Sequence, residues 1–198
     1  MSKPAAPRRT TARRPRAVAD EHPSLDALAE QVVALATSAG VTVATAESVT
    51  GGRVAAALTS VPGSSAVVRG GVVAYANGVK SGLLGVDPTE LAERGPVSAV
   101  VAAQMAAGAR AQLGASYAVA TTGEAGPDPA SGASVGTVHI AVSGPTSTDS
   151  RVLSTGNLGR ERIQQEGVVA ALELLARALR RDGRPGPVDR GRPGTNRG

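Results

Sequence analysis

The sequence predicts a single α/β domain, a three-layer α/β/α sandwich around a mixed sheet. Three observations carry this. Short β-branched runs alternate with stretches whose apolar residues fall at helical spacing. Caps and breakers separate them: Ser24, Gly40, Asp87-Pro88, Ser98 and Gly114. Two late strand-like runs, 135–142 and 150–154, are close enough for a hairpin, so the sheet is not purely parallel.

Ser24 is the expected N-cap of a first helix, with Leu25, Leu28, Val32, Leu35 and Ala36 on one face and Gly40 closing it. Residues 41–46 read as a buried strand. It runs into a polar turn, Glu47-Ser48-Val49-Thr50-Gly51-Gly52, and then a helix over 53–58. Residues 67–76 read as a second strand with Gly70-Gly71 as a candidate bulge. A turn over 77–81 leads to a short helix ending at Gly85, and Asp87 and Pro88 start another. Ser98 caps a helix to Leu113. Residues 117–121 are a third strand, followed by Thr122-Gly123-Glu124-Ala125-Gly126-Pro127 and a loose loop to Ser134. The last helix spans 160–180, with Ile163, Val168, Ala171, Leu172, Leu175 and Leu179 along one stripe.

Charge divides the chain. Residues 1–19 hold six basic residues and no acid, and 180–198 hold six arginines against Asp182 and Asp189. With +5 overall, residues 20–179 therefore carry a net −5. The expected organisation is a basic disordered arm (1–22), the α/β domain (23–181) and a Gly/Pro/Arg tail (182–198). The tails allow weak nucleic-acid contact, which solubilising disorder explains equally simply. There is no Phe or Trp, and only Tyr75 and Tyr117 are aromatic, which leaves little to stack on bases. No apolar run is long enough to span a membrane, and no secretory h-region follows the basic N-terminus. The absence of cysteine excludes disulfides and thiolate chemistry. A cytoplasmic location is expected.

The polar turn at 47–52 joins the carboxyl end of a strand to a helix N-terminus, the usual place for a ligand in an α/β sheet. Ser48, Thr50 and the unshielded backbone at Gly51 and Gly52 are its candidate groups; a plain capped βα connection would look similar. Walker, dinucleotide-binding and nucleophile-elbow patterns are absent. His22 and His139 are the only histidines, and His139 lies in a strand as a packed or edge residue. Zinc has too few ligands. A serine nucleophile would then need Lys or Tyr as its activator. Lys80 is the sole lysine in the body of the chain, and Tyr75 precedes it by five. A surface lysine and a core tyrosine are the plain alternatives.

An ordered set of segments sharpens this: residues 47–52 (ESVTGG), 61–65 (VPGSS), 71–80 (GVVAYANGVK), 84–86 (LGV), 95–98 (GPVS), 122–127 (TGEAGP) and 135–138 (VGTV). Together they resemble the CinA C-terminal domain, the nicotinamide-nucleotide amidohydrolase (NMN deamidase) family, over roughly residues 25–180, here as a stand-alone domain. The resemblance implies hydrolysis of the carboxamide of nicotinamide mononucleotide to nicotinate mononucleotide and ammonia, within NAD salvage. It implies no metal or organic cofactor, and a homo-oligomer. By position, Ser48 is similar to the family nucleophile, and Tyr75 and Lys80 to its activating partners, with the base left open between them. Thr50, Gly51, Gly52, Asn77, Thr122, Gly123 and Arg160 fall at substrate-binding positions, the amides of 50–52 as an oxyanion element, Thr122 with the Gly123 turn as a substrate-contact or oxyanion element, and Arg160 as a phosphate contact. Several positions depart from the family pattern. Val49 replaces a frequent Cys, Ala74 and Ala76 replace hydroxyl residues, and Gly78 replaces an acid. Gly159 replaces the acid before Arg160, and Gln164 replaces an arginine. These departures leave a second expectation open, a catalytically weakened nucleotide-binding or regulatory module.

Overall fold

The computed structural model describes residues 24–182. The expected basic arm and Gly/Pro/Arg tail, with His22, lie outside the described residues apart from Asp182. Five strands form one sheet in the order β2-β1-β3-β4-β5. β1 (Val43–Glu47) pairs in parallel with both β2 (Val68–Val73) and β3 (Tyr117–Gly123). β4 (Thr137–Ser143) runs antiparallel to β3, and β5 (Thr148–Ser154) completes the hairpin as an edge. The sheet is mixed, as expected.

Helices cover both faces. α1 (Leu25–Ala39), α2 (Arg53–Thr59) and α6 (Arg160–Asp182) lie on one face, where Val32, Val43, Leu58, Ile140, Ile163 and Leu172 form the larger core. α3 (Asn77–Leu84), α4 (Pro88–Glu93) and α5 (Ala99–Gln112) lie on the other, over a smaller core rich in alanine. The anticipated caps are in place. Ser24 Oγ accepts from the Ala27 amide, Asp87 from Thr89 and Ser98 from Val101, and Gly40 closes α1 in the left-handed region.

Some boundaries move. The 67–76 run forms a strand only to Val73, and the register slips by one residue between Val43 and Ala44, which places the bulge at Arg69. The expected turn at 77–81 is already the first turn of α3. β3 continues two residues further, to Gly123, because β4 supplies antiparallel partners for Thr122 and Gly123.

Two glycines set how closely the site layers approach. A Cβ on Gly71 would stand 2.2 Å from Thr45 Oγ1, and one on Gly108 would stand 1.9 Å from the Leu84 carbonyl oxygen. The second contact seats the end of α3 directly on α5.

Candidate active site

The carboxyl ends of the three parallel strands meet at one edge of the sheet. β1 delivers Ser48, the segment after β2 delivers Tyr75 and Lys80, and β3 delivers Thr122 and Gly123. The crossover from β2 to β3 passes behind β1, so α2 and α3 leave on opposite faces and open a crevice between them. Along β1 the side chains alternate: Val43 faces the larger core, and Ala44 and Ala46 face the smaller one. Continuing that alternation points Glu47 toward α2 and Ser48 toward α3.

Lys80 is the decisive residue of this crevice. It is 1 % exposed, the largest of the fully buried side chains. Its Nζ lies 3.1 Å from Ser48 Oγ, 2.9 Å from the Ala74 carbonyl and 3.2 Å from the Tyr75 carbonyl. Burial, with no carboxylate in contact, holds its pKa below the ordinary lysine value of 10.5. Lys80 is thus not the exposed helix lysine of the plain alternative.

Glu47 is equally buried, at 1 % exposure, and its carboxylate fills the N-terminus of α2. Oε2 accepts from Thr50 Oγ1 (2.7 Å) and the amides of Gly52 and Val54 (both 3.0 Å). Oε1 accepts from Thr45 Oγ1 (3.2 Å) and the Ala55 amide (2.8 Å). The orphan N–H groups that a sequence reading leaves free for an anion are therefore already satisfied by the protein's own carboxylate. The Ser48 amide donates to Thr121 O at 2.9 Å, and the Gly51 amide to Ser48 O at 3.2 Å, fixing the turn. From α6, Gln164 Nε2 donates to the Val49 carbonyl at 2.9 Å. Gln164, at the position expected to lack an arginine, thus contacts the Ser48 turn.

A cavity of about 190 Å³ opens in front of Ser48. Tyr75, Asn77, Lys80, Thr122, Gly123 and Arg160 all line it, so the structure brings these expected residues together. Three others stay outside it. Thr50 is fully buried, its hydroxyl shared between Glu47 and Thr121; the Gly51 and Gly52 amides are committed within the turn. Of the amides expected as an oxyanion element at 50–52, those of Gly51 and Gly52 are thus taken up by the turn. Among the described residues the amides of Val49 and Thr50 make no hydrogen bond, and Val49 lines the cavity. Tyr75 lines the cavity but stands apart from the Ser48–Lys80 contact. The residue is 65 % exposed and its hydroxyl bonds to neither Ser48 nor Lys80; the main-chain carbonyl makes the contact to Lys80. The Thr122 hydroxyl donates to Pro96 O at 2.6 Å, tying β3 to the loop before α5.

Glu124 is a cavity residue that motif reasoning left unassigned, although an acid directly after a strand is the kind of signal that marks one. Burial would raise its pKa, but hydrogen bonds from Ser131 Oγ and the amides of Ala130, Gly126 and Ser131 outweigh this and lower it. The carboxylate thereby folds the 126–131 loop over the cavity. Arg160, at the start of α6, donates to the Gly126 carbonyl and reinforces the same loop. Among the described residues no cluster of His, Cys, Asp and Glu could hold a metal, and no helix is long and apolar enough to cross a membrane.

The family model of the CinA C-terminal domain matches residues 25–179, which include every element of the sheet and the whole cavity. The chain belongs to the CinA C-terminal domain family. CinA-like proteins from Frankia casuarinae and Parasynechococcus marenigrum are 49 % and 50 % identical to it over 154 and 157 residues, each match covering 78 % of this chain. The chain spans only 35 % and 37 % of those relatives' lengths. Among solved structures, the competence/damage inducible protein CihA from Agrobacterium tumefaciens superposes with a TM-score of 0.76 at 41 % identity. That match covers 82 % of this chain and 99 % of the other. A CinA superfamily protein from Enterobacter cloacae gives a TM-score of 0.78 at 26 % identity, covering 85 % and 99 %.

Proposed function

We propose that this CinA-family domain is a serine amidohydrolase that hydrolyses the carboxamide of nicotinamide mononucleotide, releasing nicotinate mononucleotide and ammonia. The observation that carries it is the buried Lys80 amine 3.1 Å from Ser48 Oγ. Two of the amine's three polar contacts are carbonyl oxygens, which only accept. A neutral amine satisfies both with its two N–H bonds and turns its lone pair to the third contact, Ser48. Burial favours that neutral form. Lys80 then accepts the serine proton as Ser48 Oγ attacks the amide carbon, and returns it to the departing nitrogen as ammonia. Water, deprotonated by the same amine, cleaves the acyl–Ser48 ester; the proton goes back to Ser48 and the acid leaves.

The oxyanion formed at each attack needs N–H donors. The Val49 amide, directly after the nucleophile and free of other partners among the described residues, is the group we assign to it. Arg160 sits at the cavity edge with guanidinium N–H groups left over from its bond to Gly126, suited to the substrate phosphate.

The test is ammonia release from nicotinamide mononucleotide by the purified chain, Ser48→Ala and Lys80→Met. Wild type should turn over, Ser48→Ala should be silent, and Lys80→Met should lose about 10²–10⁴-fold in kcat, the usual worth of a general base. Because the active amine is unprotonated, kcat/KM should climb with pH to a plateau reached below the ordinary lysine range. Full activity of Ser48→Ala refutes the covalent route. Tight binding without ammonia from the wild type would favour the nucleotide-binding module.

A further inference from the structure

We propose that Tyr75 is the platform on which the cationic pyridinium ring of the ligand lies, so that it sets affinity and ring selectivity and moves no proton. The proposal rests on the nicotinamide-nucleotide reading and adds the group that recognises the ring.

The chain has two tyrosines and neither Phe nor Trp. Tyr117 is buried in the core beneath α6, with its hydroxyl on Asp182 at 2.8 Å. Tyr75 is the opposite case, a residue 65 % exposed at the cavity edge. An exposed ring usually sits on mobile backbone, but this one does not. Ala74 beneath it is fully buried, and its amide donates to Glu47 O at 2.8 Å. The carbonyls of Ala74 and Tyr75 are both held by Lys80. The flanking residues are alanines, which leave the ring unobstructed. A rigid base under an exposed ring is a preorganised binding surface.

The charges of the cavity select the occupant. Glu124 is filled by four donors of its own loop and has little left to offer a cation. Lys80 in its neutral form does not repel one. The electron-rich face of Tyr75 is then the partner that the cavity presents to a positively charged heteroaromatic ring, with the carboxamide reaching inward to Ser48 and the phosphate toward Arg160.

The experiment compares wild type, Tyr75→Phe and Tyr75→Leu with nicotinamide mononucleotide and with its reduced, uncharged dihydropyridine form. Kd by calorimetry, ammonia release and assembly mass are measured for each. Tyr75→Phe should keep Kd and kcat within about 2-fold, since the ring remains. Tyr75→Leu should weaken Kd and KM for the cationic ring by about 5–30-fold with kcat little changed, and should erase the preference over the reduced ring. Tyrosine emission, unobscured by tryptophan, should be quenched by nicotinamide mononucleotide in wild type and not in Tyr75→Phe. Loss of kcat in Tyr75→Phe comparable to that in Tyr75→Leu would overturn the proposal in favour of a catalytic hydroxyl. An altered assembly mass in Tyr75→Leu with unchanged Kd would overturn it in favour of a subunit contact. Unchanged KM in Tyr75→Leu with normal ammonia release would sink the platform alone. Tyr75-dependent binding without any ammonia release would sink the deamidase reading alone.

Discussion

Two helical glycines should respond to alanine with opposite signs, because one is packed and the other is not. In an open helix position, Gly→Ala stabilises by about 1 kcal/mol through reduced backbone entropy of the unfolded chain. Gly82, exposed in α3 with nothing within 4 Å of where an added methyl would stand, should show that gain. Gly108 in α5 should not. Its Cβ would sit 1.9 Å from Leu84 O, where contacts under 3.0 Å essentially never occur, so the carbonyl must retreat by about 1.1 Å. Backbone is stiff, and such overpacking costs about 1–3 kcal/mol. Taking the upper end against the propensity gain leaves a net loss of about 2 kcal/mol, or a Tm lower by about 4–8 °C for a domain of this size. Leu84 is one helical turn from Lys80, so the shift also reaches the 3.1 Å contact with Ser48, and kcat should fall by up to about 10²-fold. Thermal melts followed by far-UV circular dichroism, with kcat measured beside them, decide the matter. A Gly108→Ala protein that melts at or above wild type and keeps its kcat would refute the claim that this contact seats Lys80.

Two further substitutions probe the buried carboxylates. Glu47→Gln places an NH₂ against N–H and O–H donors that all need an acceptor, so it should destabilise by about 2–4 kcal/mol in denaturant titration and reduce kcat with the Ser48 turn; a change under about 0.5 kcal/mol would mean the cap is dispensable. Glu124 has a folded pKa below its unfolded one, so its stabilisation is present above the unfolded carboxylate pKa and is lost as pH falls through the folded value. The protection factors of the Ala130 and Ser131 amides, taken against the intrinsic exchange rate at each pH, should therefore fall on acidification in wild type and be low at all pH values in Glu124→Ala; equal protection in the two proteins would dissociate the loop from the carboxylate.

Much of this protein is local and therefore legible in its sequence. The caps at Ser24, Asp87 and Ser98 need only residues within three positions of them, and they form as expected. The last helix announces its buried face by its period, and Ile163, Leu172 and Leu179 are all buried. The Ser48 turn is legible as a strand end followed by polar residues and glycines. Where local pattern misleads, pairing across the sheet is the reason: β3 gains Thr122 and Gly123 from β4, and the 67–76 run stops short at Val73.

What tertiary structure alone decided is the chemical state of the groups the sequence could only name. Sequence placed Lys80 and Ser48 as candidates 32 residues apart, but α3 seated on α5 is what buries the amine, fills two of its contacts with carbonyls and aims the third at the serine. The same holds for Tyr75, whose carbonyl rather than phenol meets Lys80, and for Gln164, which reaches the Val49 carbonyl across 115 residues. It also decided that the α2 N-terminus is closed by Glu47 and not open to a ligand. The physical reason is common to all four. Protonation and hydrogen-bond partnership depend on desolvation and on distances of about 3 Å, and chain-distant elements set both when they pack.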